Sequence, residues 1–277
     1  PTLHFSLIKQ QKKLLHMLML FRQEQLIVTS NNSAVGTGKV TIKATDVKDT
    51  KITGEYNTTF NVVNATIDAT DVSFAKGTKI NNKTYTVKTP LGTKNGTTIT
   101  DNADITAELT GVVYTGAAIE PLKDAFSNLV LTNSATVTDQ KLVLGTDYDI
   151  IYTDNTNSKS VSGKTATVKL VFKGNYSGTI SYTFDIAKAT AFVTGNDVEY
   201  VAGKTSYEVS AKVVTKSGTT ETAIPADAYT VTTTKKATEG INDIAEGVVV
   251  FSNKNYDVDQ KDSVASAEYQ SKILNLE

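Results

Sequence analysis

The sequence predicts an all-β chain built as a β-sandwich or a string of them. Threonine occurs 44 times, and with Val, Ile, Tyr and Phe it forms runs suited to a pleated, half-buried surface. Apolar and polar residues alternate in TVKLVF at 167–172, TISYTFDI at 179–186 and SYEVSAKVV at 206–214. Turn signals separate these runs, as in GTGK at 36–39, NTNS at 155–158 and KSGT at 216–219. From Val28 onward no window carries a 3.6-residue apolar period, and short strands with frequent turns belong to sandwiches.

At 277 residues the chain has room for two or three domains, each with its own core. Its 28 basic and 29 acidic residues leave a net charge of -1, which offers no overall basic field for nucleic acid or anionic lipid. The absence of cysteine excludes disulfides, thiolate metal sites and cysteine nucleophiles, and suits an exported or a cytosolic protein equally.

Internal recurrence organises the chain. A glycine or lysine, a polar residue and a tyrosine stand at 54–56 (GEY), 174–176 (GNY) and 254–256 (KNY). The first two lead into alternating strands that end at NAT, 64–66, and KAT, 188–190. After these come a strand and a glycine turn, DVSFAKGTKINNKTYTV at 71–87 and DVEYVAGKTSYEV at 197–209, the same segment twice. TKNGTTITDNAD at 93–104 and TKSGTTETAIPAD at 215–227 form a third pair.

The middle of the chain adds VVYTGAAIEP at 112–121, LVLGTDYDIIYTDN at 142–155 and TATVKLVFKGNYSGTISYTFDI at 165–186. This run resembles the bacterial immunoglobulin-like repeats found in large surface proteins of Gram-positive bacteria. Their usual pattern is a Y-T-G-x-x-I-x-P opening, a central G-T-D-Y strand and a closing G-N-Y-x-G-T strand ending in F-x-I. The match falls on Tyr114, Thr115, Gly116, Ile119 and Pro121, then on Gly145, Thr146, Asp147 and Tyr148. It continues through Gly174, Asn175, Tyr176, Gly178, Thr179, Phe184 and Ile186. Residues 108–187 match well and 188–277 in degraded form, with VEYVAG, DAYTV and NKNY in the corresponding places. The resemblance implies tandem Ig-like antiparallel sandwich modules and says almost nothing about their job.

The motif residues have local physical reasons. Pro121 suits the end of an edge strand, since it cannot donate to a ladder. Gly174 and Gly178 flank a tight turn where positive φ is expected. Tyr148 and Tyr176 each offer an apolar ring and a hydroxyl that reaches a partner at the sandwich rim, a structural role rather than ligand stacking.

In chain order, residues 1–33 read as an atypical leader and 34–63 as the closing strands of an incomplete first module. Residues 64–187 read as an enlarged central Ig-like module, in which 64–107 is a partial repeat or insertion and 108–187 carries the family match. Residues 188–277 read as a degraded C-terminal Ig-like module. The spacing motivates the enlargement: GEY and GNY lie 120 residues apart, GNY and KNY only 80.

The leader contains KQQKKLLHMLMLFRQEQ at 9–25, with His16, Met17, Met19 and the only arginine, Arg22. As a signal peptide it has the basic region and the apolar core but no A-x-A site, and the apolar run is too short to span a bilayer. As a helix it places Leu14, Leu18 and Phe21 on one face. A third reading is a frame-shifted module start. Codons permitted for KQQKKLLHMLML, read one base earlier, encode KATKKVAAYVNV, and continuing through FRQEQLIVT gives AGTTNSY. That is the KAT … AGKTSY element of 188–207 with one insertion, the frame being restored near Ser33. The 34–63 module would then lack its opening strands and leave a sheet edge for the leader to cover or for another chain to pair with.

No catalytic constellation is expected. His4 and His16 both lie in the leader, so no histidine serves a triad. The pairs Asp147/Asp149 and Asp257/Asp259 alternate on strands and read as solvated carboxylates. No cofactor is expected, although DNTN at 154–157 and NYDVDQKD at 255–262 could converge oxygen ligands for calcium. Sequons at Asn57, Asn64, Asn82, Asn95 and Asn175 follow from Thr and Asn richness. A Lys–Asn isopeptide bond, implied by the family, would need a buried lysine, and Lys169 alternates with Val168 and Leu170 and so faces solvent.

The expected function is a non-enzymatic spacer or stalk in a bacterial cell-surface protein. Two alternatives are adhesin-like binding of host protein or glycan through sandwich loops, and a phage virion decoration or fibre protein. The expected partners are neighbouring modules of a larger chain and, for the adhesin reading, host protein or glycan. Nucleic acid and membrane insertion are not expected. The location follows as extracellular, at the cell surface or wall, or else on a virion.

Overall fold

The structure is a computed structural model that describes residues 25–30, 33–44, 54–84, 91, 93–94, 97–98, 102–132, 140–237, 243–259 and 266–274. The expectations for His4, His16, Met17, Met19, Arg22 and Asn95 lie outside those residues. The described chain is all-β, in a series of mostly antiparallel sheets with a few short helices.

The first sheet joins β1 (Gln25–Ser30), β2 (Gly36–Ala44) and β3 (Gly54–Val62) in the order β1-β2-β3. Its register pairs Gly38 with Phe60, Val40 with Thr58 and Ile42 with Tyr56 on one face, and Thr41 with Asn57 and Lys43 with Glu55 on the other. The two-residue side-chain period thus puts Val40, Ile42, Tyr56 and Phe60 on one face and the Lys43 and Glu55 charges on the other. Phe60 lies across Gly38, where a Cβ would sit 2.3 Å from the ring. The last residues of the leader form β1, six paired positions against β2, so the leader covers that edge of β2. GEY opens β3 itself, whereas GNY and KNY lie at turns, so GEY is not their structural counterpart.

Next come β4 (Ala65–Thr66), β5 (Val72–Phe74), β6 (Lys79–Ile80), β7 (Lys83–Thr84), β8 (Thr93–Lys94) and β9 (Thr97–Thr98). Helices α1 (Asn102–Glu108) and α2 (Lys123–Phe126) then lead to β10 (Leu129–Leu131), which pairs antiparallel with β5. The periodicity argument missed these helices because each is so short. In α1 the apolar face is Ile105 with Leu109 just past its end, both buried, and two residues one turn apart leave no readable period.

A second three-strand sheet follows, with β11 (Tyr148–Thr153), β12 (Ala166–Phe172) and β14 (Thr179–Phe184) in the order β11-β12-β14. Between them lie α3 (Lys159–Ser162), closed by Gly163 at φ 69°, and the two-residue β13 (Tyr176–Ser177). Ala166, Val168, Leu170 and Phe172 are buried while Lys169 is exposed, the alternation expected of TVKLVF.

The C-terminal stretch supplies β15 (Ala189–Gly195), β16 (Val198–Glu199), β17 (Ala211–Ser217), β18 (Thr220–Ala223), a 3-10 turn (Ala226–Ala228) and β19 (Tyr229–Lys235). It ends with β20 (Ile244–Phe251), β21 (Tyr256–Val258) and β22 (Ser266–Leu274). These form two four-stranded sheets, β18-β17-β15-β21 and β16-β22-β20-β19. One core cluster draws Ala189, Ala191, Val213, Tyr256 and Val258 from the first and Val249, Phe251, Ala267 and Tyr269 from the second. The opening strand passes from one sheet to the other after Gly195, where a Cβ would lie 1.8 Å from the Gln270 carbonyl oxygen, so only glycine fits.

The chain divides into two compact units. One comprises Pro1–Asn102, Lys123–Ile151 and Lys169–Ser181, and the other Ala103–Leu122, Tyr152–Val168 and Tyr182–Glu277. The sequence recurrences reappear as structure. The turns Ala75–Thr78 and Val201–Lys204 are closed by equivalent 3.1 Å bonds, with Gly77 at φ 88° and Gly203 at φ 82° in the third position. β8 pairs antiparallel with β9 as β17 does with β18, and a helical turn comes next in each case.

Candidate functional site

The densest buried polar cluster among the described residues surrounds the KNY turn. Asn255 is 5 % exposed and Ser158 fully buried. The Asn255 carboxamide oxygen accepts the Ser158 backbone N–H at 2.8 Å, and its Nδ2 donates to Asn157 Oδ1 at 2.9 Å and to Asn253 Oδ1 at 3.0 Å. The Asn255 backbone N–H also donates to Asn253 Oδ1, which closes an Asx turn, and its carbonyl accepts the Ala189 N–H at 2.9 Å. Nearly every donor and acceptor of this buried amide is engaged, as burial requires.

Tyr114 completes the cluster. Its Oη accepts from Asn253 Nδ2 at 3.1 Å, and its ring meets Tyr256 edge-on with centroids 5.3 Å apart. Its backbone N–H donates to the Ala187 carbonyl at 2.9 Å. Asn155, nearly buried, donates from Nδ2 to the Ile119 carbonyl at 3.0 Å and so ties its own loop down.

The GNY turn shows a related arrangement in the other unit. The Asn175 carbonyl accepts the Ala65 N–H at 3.0 Å, and its Oδ1 accepts the Val35 backbone N–H at 3.1 Å. Asn64 donates to the Gly174 carbonyl at 2.6 Å. Tyr176 and Ser177 pair in parallel with Ala65 and Thr66, as Tyr256 and Asp257 do with Ala189 and Thr190. Gly174 at φ 68° and Gly178 at φ 115° have the positive φ expected of them. A Cβ on Gly178 would stand 2.3 Å from the Ile67 carbonyl oxygen.

The other motif residues divide between support and core. Gly145, at φ 84°, turns the chain into β11, and Asp147 steadies that turn by accepting the Val143 N–H at 2.8 Å. Thr146 and Thr179 are exposed, and Phe184 and Ile186 are buried. Thr115 and Gly116 form an exposed bend, Gly116 at φ 87°, and the Ile119 N–H donates to the Asn155 carbonyl. Two placements correct the sequence reading. Tyr148 sits in the core rather than at a rim: it is fully buried, donates to the Phe126 carbonyl at 2.7 Å, and burial pushes its pKa up to about 12. Pro121 ends no strand. It opens the turn before α2, where the Tyr152 hydroxyl donates to its carbonyl at 2.5 Å.

Chemically the cluster consists of carboxamides, hydroxyls and backbone groups that bond one another. The two loops considered for calcium do meet, but through carboxamides, because Asp154 pairs with Lys164 at 3.0 Å and Asp257 with Lys188 at 2.9 Å. Among the described residues no group of three or more His, Cys, Asp or Glu is placed to hold a metal ion. The Asp147/Asp149 pair is split, Asp147 serving its turn and Asp149 pairing with Lys173 at 2.7 Å. Glu55, Glu208 and Glu221 have lowered pKa values, led by hydrogen bonds from Asn57, Lys236 and Lys212, the opposite of what a general acid needs. An open hollow of about 490 Å³ is rimmed by Lys159 and Asp185, which pair with each other at 2.6 Å. No family model matches the chain, and no curated protein or solved structure matches it. No helix among the described residues is long and apolar enough to cross a membrane.

The sequence reading missed Asn157, Ser158, Asn253 and Asn255 as one cluster. Their signal was present in the asparagine-rich runs DNTNS and NKNY, which read as turn signals, oxygen ligands for calcium and family-motif positions but not as one buried cluster.

Proposed function

We propose that the chain is a run of immunoglobulin-like sandwich modules serving as a non-enzymatic structural spacer in a bacterial cell-surface protein. The observation that carries this reading is recurrence. The three-strand pattern of β11-β12-β14 returns as β19-β20-β22, and the parallel corner of β4 with β13 returns as β15 with β21. The Y-T-G, G-T-D-Y and G-N-Y motif positions are spent on turns, core and backbone anchoring, which is the economy of a building unit. The two four-stranded sheets of the C-terminal stretch, sharing one core, support the sandwich assignment. The test is a glycan array together with pull-downs from host extracellular proteins, using the full chain. A spacer gives no saturable binder, whereas a binder that a loop substitution abolishes would establish the adhesin reading.

A further inference from the structure

On the module reading just proposed, 64–187 and 188–277 are successive modules, and each G/K-N-Y turn stands at the boundary with what precedes it. Aligned on their parallel corners, Ala65 matches Ala189, Tyr176 matches Tyr256, and Asn175 matches Asn255. Both asparagines make the same two bonds. The backbone carbonyl accepts the N–H of the alanine that starts its own module's opening strand, at 3.0 Å from Ala65 and 2.9 Å from Ala189. The side-chain oxygen accepts a backbone N–H from the preceding three-strand sheet, at 3.1 Å from Val35 and 2.8 Å from Ser158. The donors correspond as well, since Val35 lies between β1 and β2, and Ser158 between β11 and β12. One residue therefore grips two segments that belong to different modules.

We infer that the asparagine of G/K-N-Y is the coupling residue of the array, and that its partner is the first loop of the preceding three-strand sheet in the same chain. Asparagine suits the role for a stated reason. Its carboxamide offers an acceptor to the neighbouring loop while its amide donates locally, as Asn255 does to Asn157 and Asn253. Aspartate would keep the acceptor and lose both donations. The connections leave little slack: Val63 and Asn64 alone separate β3 from β4, and 185–188 alone separate β14 from β15. At the second boundary Tyr114 adds to the grip by packing on the core cluster of the following module. The first loop of the preceding sheet is thus docked on the following module, where a loose contact would be the default.

The chain has no cysteine, so spin labels can be placed cleanly at Val161→Cys and Thr232→Cys, both on exposed residues. Pulsed dipolar measurement on the full chain should give one narrow distance distribution. Asn255→Ala should make it about twofold wider, and Asn255→Asp should fall between the two. Ser158→Pro is the second variant: it deletes the donated N–H, and Ser158 already has φ -61°, which proline adopts. It should broaden the distribution as Asn255→Ala does. Ile273→Ala, a truncation in the other core cluster, that of Tyr207, Ala237 and Ala245, should leave the width unchanged. A wild-type distribution that is already broad overturns the inference. So does an unchanged width in Ser158→Pro with circular dichroism intact. Neither result touches the spacer reading, which fails only on discovery of a specific ligand.

Discussion

The central sheet and the C-terminal sheet solve one packing problem with different residues. Tyr148 opens β11 and packs on Phe172 at 5.9 Å, and Tyr229 opens β19 and packs on Phe251 at 5.8 Å. Tyr148 is fully buried and bonded to the Phe126 carbonyl, whereas Tyr229 is only half-buried. At the corner, Asn175 is exposed and Asn255 buried, with the same two backbone bonds. The central corner ends its pairing at Gly178, against the Ile67 carbonyl, where the C-terminal corner carries Val258 through a third paired position opposite Ala191. The difference teaches that a repeat conserves backbone bonds while the energy each side chain carries follows its burial.

The sharpest contrast lies at that third position. Gly178→Ala should cost about 3 kcal/mol, because a Cβ meets backbone and φ is positive, while Val258→Ala should cost about 1.5 kcal/mol. Urea denaturation measures both, and equal losses would break the correspondence. Next, Asn255→Ala should destabilise by about 2 kcal/mol and Asn175→Ala by about 0.5 kcal/mol, since only the first leaves buried partners unpaired. Tyr148→Phe should cost about 1 kcal/mol through the orphaned Phe126 carbonyl, and Tyr229→Phe should be nearly neutral. Tyr148 also makes stability depend on pH. With its folded pKa raised to about 12, Tyr148 contributes stability that is complete below its ordinary value near pH 10 and is lost as pH rises through 12. Thermal melts across that window should fall less steeply in Tyr148→Phe, the remaining fall coming from Tyr176, Tyr182, Tyr256 and Tyr269, whose pKa values burial also raises. The smallest effect is at Lys188, whose pairing with Asp257 is partly exposed: Lys188→Ala should cost about 0.5 kcal/mol, fading with added salt.

Much of the fold was legible where one rule acted alone. Alternation placed β12 and the outward Lys169, and glycine spacing placed the turns at Gly77 and Gly203. What was illegible depended on partners distant in sequence. Nothing local to GEY distinguishes it from GNY; only pairing reveals that one opens a strand and the other turns a corner. Pro121 and Tyr148 were misplaced for the same reason, because Tyr152 and Phe126 hold them across 31 and 22 residues of chain. The asparagine cluster was hidden by abundance, since residues common in turns give no sign of which ones a neighbouring loop will bury.

One consequence remains in the direction of the opening strand. β15 runs parallel to β21, and β16 parallel to the final strand β22, with Val198 opposite Ile273 and Glu199 opposite Leu274. A pull that drags the front of this stretch one way and its end the other slides these strands past each other instead of peeling them apart. Their rungs must then yield together rather than one after another, so the rate of forced opening is set by the whole row. Such a unit would behave as a tether that holds its length under tension.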